Sequence, residues 1–498
     1  MRVPFGFLLT TDYWLLTTPL IAIIPLARYT THMRYALPLL SLWCTLPIFA
    51  ADPRPNIILF IADDQAWNDC GAYGHPHIRT PNQDRLAREG MRFDAAFLTC
   101  SSCSPSRSSI ITGRYPHNTG AHQLHLPLPK EQITFVELLK KSGYWTAQAG
   151  KWHLGNFVKD RFDQLNEGGG PSGCENWIPA LRSRPKDKPF FLWLASFDPH
   201  RPYSPNTIPR PHKPEDVIVP PYLPDVPETR HDLAMYYDEI TRMDGYMGQV
   251  LDELDKEGLA DNTLVLFLSD NGRPFPRCKT TIYDSGIKTP FIVRWPGHIK
   301  PGSSCPNLVS SIDIAPTFLA AANLTPGPTF QGKSLLPLLT DPATKLHDYI
   351  YSEHNWHDFE DHARAVRSLD YLYIHNDYTD IPNGPPADAV RGETFQSMRR
   401  LRDQHKLTPE QLTVFTVPRP AEELYDVRSD PQQLHNLAKE TWAADKLAQM
   451  RQELSNWQKQ TADTLPDKRR LDEFDRETGN PLRGKAGKKK KNSPAARE

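Results

Sequence analysis

Cys103 is followed by Ser104, Pro105, Ser106 and Arg107, then by the apolar pair Ile110-Ile111 and by Thr112-Gly113. Pro105 suits the first turn of a helix. The Cys103 side chain then sits near that helix's positive end, where an anion or an anion-like transition state is stabilised. Elsewhere two apolar runs end in paired oxygen ligands, Asp63-Asp64 and Asp270-Asn271. A lone acid after a strand is an ordinary turn former. The repeated pairing instead suits one hard cation, calcium or magnesium, both of which take clustered carboxylate and amide oxygens. Lys151 and His153 in "GKWHLG", His200 in "DPHRP" and Lys279 in "RCKTT" join Arg107 as a cationic set. Such a set holds a tetrahedral oxyanion and supplies protons. A divalent cation, several cationic donors and one nucleophile suit phosphoryl or sulfuryl transfer. As a plain thiolate, Cys103 would be exposed to oxidation in an exported protein and would favour a softer metal than the acids do. A structural cysteine is the alternative reading.

The elements that must position these residues are short. "NIILFIADD", "KPFFLWLASFDPH", "NTLVLFLSDNG" and "TPFIVRWPG" are continuous apolar runs, the pattern of strands buried on both faces of a parallel sheet. Three of the four end in acids or amides: Asp63-Asp64, Asp198 and Asp270-Asn271. Between the runs lie helical patterns. From His231 to Glu257, Tyr236, Ile240, Met243, Met247, Val250 and Leu254 fall on one helix face, and Gly258 suits a C-cap. "PNQDRLAREG" and "TFVELLKKSG" are shorter helices ending at Gly90 and Gly143. Strands alternating with helices predict an α/β fold with a large, mostly parallel sheet flanked by helices. In such sheets the loops at the carboxyl ends of the strands build the site.

The chain has 498 residues, 39% hydrophobic and 23% charged, the range of a soluble globular protein. Proline stands at 48, about twice the usual ~5%, which implies many stiff connections. The net charge of -1 gives no global field toward nucleic acid or membrane. Seven cysteines are scattered with no repeated CxxC, so a zinc site is not expected. Met33-Arg34, an apolar stretch and Ala50-Ala51 read as a secretory signal, with cleavage near Ala50-Ala51 and export to the periplasm or beyond. On this reading residues 1–32 are an extension upstream of the true start at Met33. A membrane anchor at residues 13–26 is the alternative, short against the ~20 residues needed to span. Membrane contact is then confined to the signal segment. The expected division is 1–50 extension and signal, 51–344 catalytic domain, 345–470 smaller C-terminal α+β subdomain with an amphipathic helix from Ala443 to Gln460, and 471–498 a basic disordered tail.

Taken together these residues resemble the formylglycine-dependent sulfatases. The family motif, Cys or Ser-x-Pro-x-Arg followed by Thr-Gly, stands here as "CSPSRSSIITG", supported in order by "ADD", "GKWHLG", "DPH", "SDNG", "KTTIYDSG" and "ELYD". The resemblance spans about residues 54–460 and implies an alkaline-phosphatase-like fold. "SSCSPSRSS", "DPHRP", "SDNGRPFP" and, loosely, "HNWHD" are similar to the sulfamidase group, the N-sulfoglucosamine sulfohydrolases.

The resemblance implies that a formylglycine-generating enzyme, a transient partner, converts Cys103 to formylglycine, whose hydrate carries the nucleophilic hydroxyl. It implies that Asp63, Asp64, Asp270 and Asn271 ligate Ca2+ with the modified Cys103. Arg107, Lys151 and His153 would serve the diol, and His200 and Lys279 the sulfate and the leaving group. His354 and His357 are candidates for sugar contacts. The implied substrate is a sulfated glycan, with N-sulfoglucosamine of heparin or heparan sulfate first. A glycan O-sulfatase and a phosphonate or phosphodiester hydrolase are the alternatives, and a silent glycan-binding protein has no need of the full set.

Overall fold

A computed structural model describes residues 54–482. The signal segment, the upstream extension and residues 483–498 of the basic tail lie outside the described residues. Among those described, no helix is long and apolar enough to cross a membrane.

Eight strands form the large sheet: β1 (Asn56–Ala62), β2 (Met91–Phe97), β3 (Trp145–Gly150), β4 (Gln164–Glu167), β5 (Phe190–Ala195), β6 (Thr263–Ser269), β7 (Phe291–Arg294) and β8 (Ser303–Ser310). Their order is β4-β3-β5-β1-β6-β7-β2-β8. Pairing is parallel except at β7, which runs antiparallel to both neighbours. The apolar runs are strands because both faces are covered: every residue of β1, β5 and β6 is buried. Side chains alternate between faces. Ile57, Leu59 and Ile61 enter one core, while Ile58, Phe60 and Ala62 enter another. The second core is closed by α1 (Pro81–Glu89) and by a long helix, Pro227–Lys256, through Leu86, Met243, Met247, Val250 and Leu254. The first is closed by α2 (Cys103–Thr112) and α3 (Phe135–Lys141) through Ile110, Ile111, Phe135 and Leu139. The long helix starts one turn before the predicted His231, at Pro227, and Gly258 takes φ 67 just beyond its end.

The smaller sheet is antiparallel: β9 (Ile350–His354), β10 (Ala363–Arg367), β11 (Tyr371–Asn376) and β12 (Glu422–Asp426), in the order β12-β11-β10-β9. The helix Ala444–Thr461 packs Met450, Leu454 and Trp457 onto Val366, Tyr373 and Leu424 on one face. Ala365, Leu372, Ile374 and Tyr425 join the core under the large sheet. The two sheets therefore share one hydrophobic interior. Residues 471–482, the start of the predicted disordered tail, are ordered instead. Trp356 Nε1 donates to Leu471 O at 3.1 Å, Glu473 N to Asp358 O at 2.9 Å, and Phe474 bridges to Pro481. Their apolar and hydrogen-bonding groups find partners there.

Candidate active site

The carboxyl ends of β1, β3, β5 and β6 converge. Asp63 and Asp64 follow β1, Lys151 and His153 follow β3, His200 follows β5, and Asp270 and Asn271 follow β6. The turns that aim them are tight. Gly150 sits at φ +89, and a Cβ there would lie 1.8 Å from Ala195 O. A Cβ at Gly272 would lie 1.9 Å from Ser285 O, so only glycine lets the segment carrying Lys279 fold back over β6. Asp64, His153 and Thr280 hold left-handed backbone, at φ 82, 56 and 69. A side chain in that region costs of order 1–3 kcal/mol, and such strain clusters at functional sites.

Cys103 opens α2, a helix buried along its whole length, and Arg107 lies one turn on. Asp63, Asp64 and Cys103 each offer a ligand atom within 4.8 Å of the others, a buried group able to hold a metal ion. Cys103 Sγ stands 3.6 Å from Asp63 Oδ1 and 3.4 Å from Asn271 Nδ2. The same amide nitrogen is 3.1 Å from Asp64 Oδ1 and 2.8 Å from Asp270 Oδ1, while Asn271 Oδ1 is buried without a partner. Three carboxylates and an orphaned amide oxygen, all buried, are the oxygen-rich donor set of a hard dication. The residues present fit calcium.

Cations surround the cluster. Lys151 Nζ donates to Asp63, Lys279 Nζ to Asp64 at 2.8 Å, and Arg107 Nε to Asp270 at 2.7 Å. Arg107 Nη2 lies 3.9 Å from Asp63 and has no hydrogen-bond partner. Burial raises the Asp63 carboxyl, but Lys151, His200, Arg107 and Lys279 together hold it far below the usual carboxylate range. Burial raises Asp64 well above it, helped by Asp63 and Asp270 and opposed by Lys279. Burial also pushes the Cys103 thiol up to about 12, against Lys151 and Lys279. Unmodified and metal-free, that sulfur is a thiol at neutral pH, not a nucleophile.

His200 Nδ1 donates to the Arg201 carbonyl at 2.6 Å, since a carbonyl only accepts, leaving Nε2 to face Asp388 Oδ2 at 3.6 Å. Burial lowers its pKa to about 4, with Lys279 and Lys151 adding to the effect and Asp63 and Asp388 opposing it. His153 Nε2 lies 2.9 Å from His125 Nδ1. His357 is buried, its Nδ1 2.7 Å from Ser102 Oγ just ahead of Cys103. His354 turns into the smaller sheet, where Nε2 faces Asp361 at 3.7 Å. The structure thus gathers Cys103, Arg107, Lys151, His153, His200, Lys279, Asp63, Asp64, Asp270 and Asn271, sets His357 beside them, and points His354 elsewhere. Asp198, one of the three strand-end acids, is bound through both oxygens to Arg242 at 2.9 and 2.5 Å and stands outside the cluster.

Three neighbours were not visible in the sequence. Asp388 comes from the long connection between β11 and β12, His125 from a proline-rich loop, and Trp356 packs with Leu124 against Cys103. Only Trp356, inside "HNWHD", lay in a stretch already singled out. The six described cysteines are all buried and unbonded.

The sulfatase family model matches residues 55–171 and 174–324, and the C-terminal model of N-sulphoglucosamine sulphohydrolase matches residues 277–382. The chain is 31% identical over 474 residues to human N-sulphoglucosamine sulphohydrolase, across 85% of this chain and 93% of that one. It is also 31% identical over 456 residues to an ulvan-active sulfatase of Formosa agariphila, across 81% and 74%. A solved protein in complex with its substrate D-glucosamine-2-N,6-O-disulfate superposes with a TM-score of 0.65 at 24% identity, covering 83% of this chain and 99% of that one. The alkaline-phosphatase-like fold expected from the sequence is the fold observed.

Proposed function

The chain belongs to the sulfatase family, and within it we propose that it removes the N-sulfate of glucosamine in a heparin-type glycan, with Ca2+ and a formylglycine made from Cys103. The net reaction converts R–NH–SO3− and water into R–NH3+ and SO4 2−. One observation carries the choice of N-sulfate. The segment matched by the C-terminal model of N-sulphoglucosamine sulphohydrolases, residues 277–382, is the one that supplies Lys279 and His357.

Asp63, Asp64, Asp270 and Asn271 would hold the calcium. When present, the dication supplies charge stabilisation to the sulfuryl oxygens and the oxidised residue 103 a nucleophilic oxygen. The chain's own groups do the rest. Arg107 and Lys151, which converge from α2 and β3, orient the side chain at 103, and Arg107 Nη2 keeps an unused donor for an oxygen there. Lys279 and Lys151, which now donate to Asp64 and Asp63, would offer those donors to sulfuryl oxygens where the two carboxylates hold the ion. His153, braced by His125, removes a proton at residue 103. His200, fixed by its bond to the Arg201 carbonyl, presents Nε2 to the leaving atom and donates a proton there. An anion in the pocket raises the depressed His200 pKa, which readies that proton. Proton donation matters most for an amine, a very poor leaving group as an anion. The apolar flank of Leu124 and Trp356 keeps water from the Cys103 side.

The test is sulfate release from defined heparin disaccharides sorted by N-, 2-O- and 6-O-sulfate. Release from N-sulfate is expected, and release from O-sulfates alone would assign the chain to the O-sulfatases of its family. The name of the ulvan-active relative keeps that second reading in view.

A further inference from the structure

The pocket at Cys103 is built to attract anions, yet one carboxylate that takes no part in the metal cluster faces it. Asp388 is the second residue of the short helix Ala387–Val390. Its Oδ2 stands 3.6 Å from His200 Nε2, and its side chain is 20% exposed, so a ligand can reach it. Its other oxygen accepts from Ala389 N at 2.7 Å. The helix and the residues just after it are tied to their surroundings. Ala387 N donates to Asp358 at 3.0 Å, Arg391 to Gly479 O at 2.6 Å, and Thr394 Oγ1 to Asp232, which also takes both arms of Arg201 at 2.8 and 2.7 Å. Burial raises the Asp388 carboxyl, but Lys279, His200 and Arg201 bring it below the usual range, so it is ionised.

A carboxylate cannot face sulfuryl oxygens, which are acceptors only and carry the negative charge. It must therefore lie on the other side of the bond that breaks, beside the leaving atom that His200 serves. A sulfamate nitrogen carries a hydrogen and a bridging ester oxygen carries only lone pairs. We propose that Asp388 is a specificity residue for nitrogen: it accepts the N–H of an N-sulfated sugar and meets the lone pairs of the corresponding ester. After cleavage it also faces the ammonium product. The inference rests on the N-sulfate reading above and names the group responsible for it.

The test uses two ligands that differ only at that atom, glucosamine N-sulfate and glucose 2-O-sulfate. Calorimetric titration of the full chain carrying Cys103→Ala, loaded with calcium, avoids turnover. The N-sulfate is expected to bind at least tenfold more tightly, the order of magnitude of one charged hydrogen bond. Adding Asp388→Asn should shrink that preference to within about threefold. Asp388→Ser serves as a second variant, and thermal melting checks both folds. A preference unmoved by the substitutions, or equal weakening of both ligands as a sugar-hydroxyl contact would give, overturns the proposal. Sulfate release by the unaltered protein separates the two failures. Release from glucosamine N-sulfate with no Asp388 effect removes only this residue's role, and no release removes the N-sulfate reading with it.

Discussion

At the smaller sheet, Arg364 and Asp463 join through two parallel bonds at 2.7 and 2.8 Å, and both side chains are 1% exposed. Arg419 closes on both oxygens of Asp361 in the same way. Within the Cys103 cluster at the edge of the large sheet the same residue types make no such two-bond pairs. Asp63 is shared between Lys151 and Arg107, Asp270 engages Arg107 through Nε, and Arg107 Nη2, Asn271 Oδ1 and His153 Nδ1 are left without partners. Buried unpaired polar atoms are costly. Where acids and bases pair one to one they hold the fold together. Where they converge with unused valence they wait for a ligand.

The contrast is broken or sharpened by substitution. Cys103→Ala should drop sulfate release by at least ~10⁴ while costing only about 1 kcal/mol of stability in denaturant melts. Collapse of the fold would instead make the cysteine structural. Asp463→Ala leaves a buried guanidinium unpaired and should destabilise the protein by ~3–5 kcal/mol, leaving the response to calcium intact. Asp270→Asn should cost less than that in metal-free protein, because Asp63 still lies 3.9 Å from the same guanidinium and a carboxylate that repels Asp63 and Asp64 is lost. It should, however, abolish the gain from calcium, about 2.7 kcal/mol at a hundredfold excess over Kd. Equal loss in the two metal-free variants would erase the distinction.

A pH series probes the paired region further. Burial lowers His354 to about 4, against the attraction of Asp361. Between about 4 and 6.5 the unfolded chain binds the extra proton, so stability rises with pH across that window and is lost as pH falls through it. His354→Gln should flatten the slope by up to ~3 kcal/mol in melts from pH 4 to 7. The smallest effect is expected from His357→Ala. That ring touches Ser102 rather than Cys103, so KM for the glycan should rise less than about tenfold with kcat nearly unchanged.

Much of this edge was legible in the sequence because β1, β5 and β6 are uninterrupted apolar runs and their last residues are the site. β3 and β4 were not, since Thr146, Gln148, Gln164 and Asn166 break the apolar signal. The reversal of β7 was hidden as well, because an apolar run carries no direction. Asp198, a strand-end acid outside the paired ligands, serves a neighbouring Arg242 instead. Asp388 and His125 had no local signature. They arrive through long connections, and only the packing of the smaller sheet brings Asp388 to His200.

The claim on which the account turns is that residue 103 reacts as an oxidised side chain within the acid cluster. Peptide mass spectrometry across Cys103 in a preparation whose active fraction has been titrated tests it most directly. The fraction carrying the aldehyde in place of the thiol should equal the active fraction. Full activity from chains whose Cys103 remains a thiol would contradict it.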